Sequence, residues 1–192
     1  MEKTTHEKTT HETLNNVDLT QLSGTIDAVR DDPGMAEFTF RAKNEWLGGG
    51  RSRTRIQGFR GANQEDTTRT EPFRMEGDEP EVLLGSNEAP NAVEAVLHAL
   101  GSCLAVGFAY NAAARGIEVQ SLETDIEGEL DLRGFLGLSE EVRPGYRNVR
   151  VRYTVDCDAP DGEVDELCRH VQNTSPVLDI LRNPVSVTVE RS

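Results

Sequence analysis

Two side chains in this sequence have the chemistry of a reactive thiol site, a cysteine in an apolar stretch and an arginine after a glycine-rich turn. Cys103 lies in the middle of the segment 91–114. A thiol reacts as its thiolate, which a neighbouring cation stabilises. Arg51 follows Gly48-Gly49-Gly50 and is the cation that we expect beside such a thiolate. The alternatives are that Cys103 is an inert core cysteine and Arg51 an ordinary surface arginine.

A serine-proline pair predicts the start of a short helix 72 residues after Cys103. Ser175 is well placed as the N-cap of this helix, and Pro176 as its first residue. Cys168 lies seven residues before Ser175, which is about 10 Å back along a helix. It also falls on the apolar stripe of its own helix. We therefore expect neither Cys168 nor Cys157, which ends a strand, to take part in chemistry.

A polar stripe runs along the apolar segment that contains Cys103. Glu94, His98 and Ser102 follow one another at intervals of four residues. Glu94 lies nine residues before Cys103, and at about 100° per residue the two side chains point to opposite faces of a helix. The stripe fits a hydrogen-bonded network in a dimer interface. The alternative is that Glu94 and His98 line a binding pocket, or relay a proton through His98.

The apolar patterns around these groups predict helices and strands of an α+β fold. The segment 91–114 ends at Arg115-Gly116, a common helix terminus, and is apolar nearly all the way round. We therefore expect a long central helix, buried in an intertwined homodimer. Alternating and helical apolar patterns predict strands within 26–73 and at 119–132, 149–156 and 185–189, and helices at 162–173 and 176–181. Helices packed on antiparallel sheets belong to the α+β class.

The N-terminal region is polar and repeats Lys-Thr-Thr-His-Glu at residues 3–7 and 8–12. We expect residues 1–22 to form a disordered tail and residues 23–192 to form one domain. The two histidines of the repeat are expected to be solvated rather than bound to metal.

Composition narrows the classes of partner. The chain has 192 residues, 36% of them hydrophobic and 28% charged, with a net charge of −14 and a pI near 4.7. Such a chain is repelled by nucleic acid and by anionic membranes, so we expect neither as a partner. A bilayer span needs roughly 20 apolar residues, and the sequence predicts no such span and no signal peptide. We expect a cytoplasmic protein.

The chain has three cysteines, and an odd number argues against a framework of disulfides. Their spacing is not that of a zinc site. We predict no metal and no cofactor.

The order and spacing of these segments resemble the OsmC/Ohr family, thiol-dependent peroxidases that reduce organic hydroperoxides. The resemblance runs from about Phe38 to Val189 and is carried by the segments 85–103, 132–138 and 175–179. It implies an OsmC-like fold, an entwined homodimer with sites at the subunit interface, and Cys103 as the peroxidatic thiol. Gly49-Gly50-Arg51 matches the arginine motif of the Ohr branch.

The chain departs from the family pattern at two positions. Ser175 stands where the family usually has a second cysteine, and Val93 where the Ohr branch has a glutamate. One interpretation is a one-cysteine peroxidase in which an external thiol reduces oxidised Cys103. The other is a homodimer without peroxidase activity that binds a small apolar ligand at the subunit interface, with Glu94, His98 and Ser175 as candidate binding residues. A purely structural dimer would require a buried Cys103 without a neighbouring pocket.

Overall fold

The computed structural model describes residues 12–191 of the chain. Its strands, in chain order, are β1 (Thr13–Leu14), β2 (Val17–Asp18), β3 (Thr39–Phe40), β4 (Lys43–Gly48), β5 (Arg51–Ile56), β6 (Phe59–Gly61), β7 (Gln64–Asp66), β8 (Phe73–Gly77), β9 (Val119–Glu129) and β10 (Asn148–Cys157). Its α-helices are α1 (Leu19–Asp31), α2 (Ala92–Ala114), α3 (Leu132–Phe135), α4 (Asp161–Thr174) and α5 (Pro176–Arg182). This mixture of helices and antiparallel sheets confirms the α+β prediction.

The chain divides into two compact units. The first contains the residues up to Asp27, Cys103–Glu123 and the residues from Tyr153 onward. The second contains Ala28–Ser102 and Thr124–Arg152. Cys103 and Ser175 therefore belong to the first unit, and Arg51, Glu94 and His98 to the second.

The first unit is built on the second half of α2, which packs against α4. Leu104, Phe108 and Ala112 repeat every four residues and face inward, because that interval keeps side chains on one face of a helix. Leu167 and Val171 of α4 have the same spacing and are also fully buried. Each large apolar side chain buried in this way contributes roughly 1.5–3 kcal/mol.

The second unit contains two three-stranded antiparallel sheets, in the strand orders β3-β6-β7 and β4-β5-β8. Strands β4 and β5 form a hairpin whose register shifts between Trp46 and Gly48. The turn uses glycines in the left-handed region, with φ of 106° at Gly48 and 57° at Gly49, where other residues are strained. The glycine-rich turn predicted before Arg51 is confirmed.

Helix α2 matches the predicted segment, but its burial within one chain is incomplete. Buried side chains such as Leu100 and Leu104 lie on one face, whereas Val106 and Tyr110 are 51% and 50% exposed. Within the described residues, α2 alone is long and apolar enough to cross a membrane, with a hydropathy of 1.7. The core helix of a soluble protein meets the same criterion. The expectation that the sequence holds no such apolar stretch is therefore wrong.

The structure corrects the prediction for the N-terminal region. Residues 1–11 of the expected tail lie outside the described part, but β1, β2 and the start of α1 occupy residues 13–22. Asn15 fixes the hairpin to the first unit by donating to the Ile117 carbonyl and accepting from the Val119 N–H, both at 2.9 Å. Ile26, expected to begin a strand, lies within α1.

The predicted C-terminal strand is also absent in the described chain. Val185, Val187 and Val189 alternate as a strand would, but no strand is formed there, and they are 52%, 75% and 89% exposed. A strand requires a neighbouring edge with which to exchange backbone hydrogen bonds. Residues 12–191 supply no such edge to residues 185–189.

Candidate active site

Cys103 lies in direct contact with Ser175 inside the first unit. The Cys103 Sγ and the Ser175 Oγ are 3.2 Å apart. Ser175 is only 5% exposed, and its Oγ accepts the Leu178 N–H at 3.3 Å as the N-cap of α5. Either group can donate in this contact, and the Ser175 hydroxyl keeps a proton that can point at the sulfur. The predicted cap at Ser175 with Pro176 as the first helical residue is confirmed.

Glycines allow α2 to approach its neighbours closely near Cys103. A Cβ at Gly107 would lie 3.2 Å from Val171 Cγ1 on α4. In the second unit, a Cβ at Gly101 would lie 2.9 Å from Ile126 Cδ1 on β9. At both glycines, an aliphatic side chain of the neighbouring element fills the space that a side chain would need.

Cys168 lies on α4, seven residues before Ser175 and thus about 10 Å from that end of the helix. Burial raises the pKa of the Cys168 thiol, and the nearby Asp165 and Cys157 raise it further. A thiol with a raised pKa is a poor nucleophile at neutral pH. Ser175, not Cys168, is the residue beside Cys103.

Tyr153 of β10 is a second polar group of the first unit that the sequence did not reveal. Its ring centroid lies 6.1 Å from that of Phe108, and its hydroxyl is buried without a hydrogen-bond partner among residues 12–191. An alternating strand pattern shows that such a tyrosine faces inward, but not which groups its hydroxyl meets.

Arg51 begins β5 in the second unit and is half exposed. Its Nη2 lies 3.7 Å from Glu88 Oε2. The turn before it is closed by Trp46, whose Nε1 donates to the Gly49 carbonyl at 2.9 Å. The acidic partner of Arg51 is therefore Glu88, which no motif in the sequence indicates.

A buried carboxylate organises the loop that carries Glu88. Asp78 is 2% exposed and accepts backbone N–H groups of Glu79 at 2.8 Å and of Ser86 and Glu88 at 3.1 Å. The hydrogen bond from the Glu88 N–H is the main cause that lowers the pKa of Asp78. The N–H groups of Glu79 and Ser86 and the charge of Arg51 lower this pKa further, whereas burial acts in the opposite direction. Because the partners of Asp78 are main-chain groups, no side-chain pattern in the sequence indicates this arrangement.

Gly85 lets this loop close on itself. A Cβ at this position would stand 1.8 Å from the Glu79 carbonyl oxygen, so any larger residue would force the loop apart. Asp78 and Gly85 together hold Glu88 opposite Arg51.

Replacing Asp78 by asparagine is expected to lower the melting temperature at neutral pH, because an amide accepts these N–H groups less strongly than a carboxylate. The folded state lowers the pKa of Asp78 below its ordinary 3.8. The carboxylate therefore stabilises the fold above about pH 4, and this stability is lost as the pH falls through the lower folded pKa. Thermal unfolding between about pH 7 and pH 3 should show a smaller acid dependence for Asp78→Asn than for wild type. Glu81→Gln, on an exposed residue of the same loop, is the matched control, and an equal change in both variants would contradict the role of Asp78.

Glu94 has a local role at the start of α2. Glu94 accepts the Asn91 N–H through its carboxylate, and Asn91 accepts the Glu94 N–H in return, both at 2.9 Å. This reciprocal capping box begins α2, and the Asn91-x-x-Glu94 spacing was its overlooked sequence signal. Glu94, His98 and Ser102 are all exposed in the single chain, so their hydrogen-bonded network in a dimer interface stays a prediction.

The second unit also contains a cleft of about 250 Å³ between the sheet β4-β5-β8 and the start of α2. Its lining includes acidic residues, short polar ones and apolar ones, among them Glu76, Glu79, Ser52, Thr54, Met75, Ala92 and Ala95. Within residues 12–191, no group of three His, Cys, Asp or Glu side chains is arranged to hold a metal ion.

Comparisons with known proteins agree with the fold. A sequence model of the family described as OsmC-like protein matches residues 85–190, and no curated protein matches the chain. An OsmC-like protein from Mycoplasma pneumoniae superposes with a TM-score of 0.59 at 13% identity, covering 76% of this chain and 89% of its own.

Two proteins named for hydroperoxide resistance have the same fold. An organic hydroperoxide resistance protein OsmC from Legionella pneumophila gives a TM-score of 0.54 at 16% identity, covering 75% of this chain and 89% of its own. An organic hydroperoxide resistance protein from Elizabethkingia anophelis, with thiocyanate bound, gives a TM-score of 0.51 at 13% identity, covering 76% of this chain and 89% of its own. At such identities the likeness concerns the fold.

Proposed function

Because this chain belongs to the OsmC-like family, we propose that it is a one-cysteine thiol peroxidase that reduces organic hydroperoxides at Cys103. The observation that carries the proposal is the 3.2 Å contact between Cys103 Sγ and Ser175 Oγ. A hydroxyl donor aimed at a sulfur stabilises its thiolate, the form that attacks peroxides. Serine cannot form a disulfide, so the same contact leaves the oxidised sulfur without a resolving partner at this position.

The reaction balances with one organic hydroperoxide and two external thiols. The Cys103 thiolate attacks a peroxide oxygen, the O–O bond breaks, and the alcohol leaves with one proton. Two electrons pass from sulfur to the peroxide, and Cys103 becomes a sulfenic acid. A first external thiol then attacks the sulfenic sulfur and releases water, giving a mixed disulfide. A second thiol attacks this disulfide and restores Cys103.

We assign Arg51 the electrostatic role in this proposal. Its guanidinium is always protonated and suits an anionic sulfur or a developing alkoxide. The ion pair with Glu88 at 3.7 Å is half exposed, so it restrains the side chain while leaving donors for a second partner. The support comes from the Gly49-Gly50-Arg51 motif and from the Asp78 loop that positions Glu88.

The proposal includes a cytoplasmic homodimer. Helix α2 leaves Val106 and Tyr110 half exposed, and the alternating valines of residues 185–189 have no neighbouring strand among the described residues 12–191. Exposed apolar surface on this scale is typical of protein interfaces. A second copy of the chain is the occupant that we propose, with a small apolar or aromatic hydroperoxide as the substrate and a cellular thiol as the reductant.

The test of the function is a single-turnover reaction of the reduced protein with an organic hydroperoxide. The expected result is rapid formation of one sulfenic acid per chain, trapped by a dimedone-type reagent and located at Cys103 by mass spectrometry. Oxidation no faster than that of a free thiol in solution would overturn the proposal.

Replacing Arg51 by alanine is expected to slow this oxidation by roughly a hundredfold, the lower range for loss of one preorganised electrostatic donor. Arg51→Lys should recover only part of the rate, because lysine keeps the charge but lacks the planar fork. The measurement is the second-order rate constant under single-turnover conditions. Arg53→Ala, two residues along β5, is the matched control, since Arg53 pairs with Glu76 at 2.6 Å instead. An unchanged rate in Arg51→Ala would remove Arg51 from the mechanism.

The second candidate function is the binding of a small ligand without peroxidase activity. The 250 Å³ cleft beside the start of α2 favours it, because Met75, Ala92 and Ala95 give this cleft an apolar part beside its polar and acidic residues. In that case Cys103 would oxidise slowly. A fluorescent apolar probe would bind to the wild-type protein, and Ala95→Trp would abolish this binding by filling the cleft.

A further inference from the structure

A row of three cationic side chains crosses the sheet β4-β5-β8 of the second unit. Lys43 of β4 stands opposite Arg55 of β5, and Arg55 stands opposite Arg74 of β8. Residues that are paired in an antiparallel ladder share one face of the sheet, with Cβ atoms about 4.5–5.5 Å apart, and like charges in such positions destabilise the pairing. The row is unusual in a chain with a net charge of −14. An anion bound beside it would relieve the repulsion.

A cleft of about 340 Å³ lies at one end of this row. Three cationic side chains line it, Arg41, Lys43 and Arg55, together with small and neutral residues. Among the described residues, no carboxylate belongs to the lining. The volume is at the lower end of the range for small-molecule pockets, roughly 300–1,000 Å³. The cleft therefore has the size and the charge of a site for a small anionic molecule.

Two of the three cations are held in place by carboxylates outside the lining. Arg41 donates to both carboxylate oxygens of Glu65, from Nη1 at 2.8 Å and from Nη2 at 3.0 Å. Arg55 Nη2 donates to Glu45 Oε2 at 3.1 Å. A guanidinium has five N–H donors, so each arginine is restrained and still has donors for a ligand.

Lys43 supplies a charge that the protein does not neutralise. Within residues 12–191, neither the Lys43 ammonium nor the Arg74 guanidinium takes part in an ion pair. Lys43 is exposed, so a ligand can reach its ammonium without breaking an existing contact.

A further part of the wall is fixed by a reciprocal contact between Gln57 and the loop after β7. Gln57 Nε2 donates to the Arg69 carbonyl at 3.0 Å, and Arg69 Nη1 donates to the Gln57 carbonyl at 3.1 Å. The Arg69 guanidinium also lies over the rings of Phe59 and Phe73, at 5.0 and 5.1 Å from their centroids. These contacts hold the loop that leads to Pro72 of the lining. The cleft is therefore preformed.

We propose that this cleft binds the phosphate group of a small organic phosphate. A phosphomonoester carries a charge of about −1.5 to −2 at neutral pH, which matches a lining of three cations without a carboxylate. The planar guanidinium forks of Arg41 and Arg55 suit phosphate oxygens, and Lys43 adds a compact charge. The neutral part of the lining accommodates the organic body of the ligand. The site belongs wholly to the second unit, and binding there does not depend on Cys103.

The test is a calorimetric titration of the full-length protein with phenyl phosphate at physiological salt. We expect saturable binding of one phenyl phosphate per chain. Lys43→Gln should weaken this binding roughly tenfold, the factor that one hydrogen bond to a charged group supplies. The same variant without ligand should melt at the temperature of wild type or higher, because Lys43 has no ion-pair partner to lose. Arg53→Gln is the matched control and should bind nearly like wild type, because Arg53 shares the face of β5 with Arg55 but pairs with Glu76 and is not part of the lining.

Two further ligands test the charge that the cleft selects. Benzoate, with a single negative charge, should bind more weakly than phenyl phosphate, and neutral benzyl alcohol should not bind. Equal binding of benzoate and phenyl phosphate would overturn the assignment to a phosphate, because the cleft would then accept any carboxylate.

The remaining outcomes decide whether the site exists. An absence of saturable phenyl phosphate binding would overturn the proposal. Equal weakening by Lys43→Gln and Arg53→Gln would also overturn it, since binding would then reflect general attraction to a basic surface. Displacement of phenyl phosphate by a short oligonucleotide would overturn the choice of a small molecule as the ligand.

Discussion

Replacing Cys103 by serine is expected to abolish the rapid consumption of organic hydroperoxide, the largest effect of any single substitution in this chain. The physical reason is that a serine hydroxyl has neither the acidity nor the polarisable lone pair of a thiolate, while its volume is similar. The contact with Ser175 should survive as an ordinary hydrogen bond between hydroxyls, so the fold is expected to persist. The measurement is the rate of hydroperoxide loss with a small thiol as reductant, together with thermal unfolding of both proteins.

Two matched controls are present in the chain. Cys157 and Cys168 are free cysteines with intermediate exposure, like Cys103. Cys157→Ser and Cys168→Ser should keep the wild-type rate, because neither thiol lies beside Ser175. A Cys103→Ser protein with a normal rate would place the chemistry elsewhere and would refute the one-cysteine peroxidase.

Replacing Ser175 by cysteine is expected to change the fate of oxidised Cys103. The Ser175 Oγ lies 3.2 Å from the Cys103 Sγ, so a sulfur in its place starts about 1 Å from disulfide bonding distance. One equivalent of hydroperoxide should then yield an internal disulfide and water in place of a lasting sulfenic acid. Mass spectrometry without reductant would show the cross-linked peptides, and a dimedone-type trap would capture little.

The same substitution has a predicted effect on stability. The disulfide would close a loop between residues 72 apart in sequence, which in the chain-entropy description stabilises the oxidised protein by roughly 4 kcal/mol over its reduced form. Thermal unfolding with and without reductant measures the difference. Wild type should show no comparable difference.

Thr174→Cys is the control for this second prediction. Thr174 is the last residue of α4 and is exposed, so a thiol there does not face Cys103. It should form no internal disulfide under the same treatment. If Ser175→Cys also failed to cross-link after Cys103 had been oxidised, the contact between the two residues would not exist in solution.

The two departures from the family pattern, Ser175 and Val93, have different structural consequences. The serine keeps the geometry of its position, because a hydroxyl caps α5 through Leu178 as a helix N-terminus requires. It loses only the capacity for disulfide chemistry. At the second position, the acidic partner of Arg51 comes from Glu88 in the preceding loop, and Glu94 serves the capping box of α2. Ser175 thus keeps α5 capped, and Glu94 keeps the capping box that begins α2.

Local patterns in the sequence determined the main helices. The apolar run and the Arg115-Gly116 end specified α2, and Ser175-Pro176 specified the first turn of α5, because these signals act through neighbours within one helical turn. Helix α1 is also specified by a local pattern, since apolar residues recur at helical intervals in Leu19, Leu22, Ile26 and Val29. Predicting a strand from Ile26 overlooked that spacing.

The tertiary structure decided what depends on distant partners. Residues 185–189 alternate as a strand would, yet a strand needs a backbone edge that no local pattern provides. The burial of Asp78 depends on main-chain N–H groups of a loop that folds back on Gly85. The pairing of Cys103 with Ser175 across 72 residues arises from the antiparallel packing of α2 on α4. The sequence by itself singled out Cys103 as the candidate thiol, whereas only packing placed the buried Ser175 hydroxyl beside it.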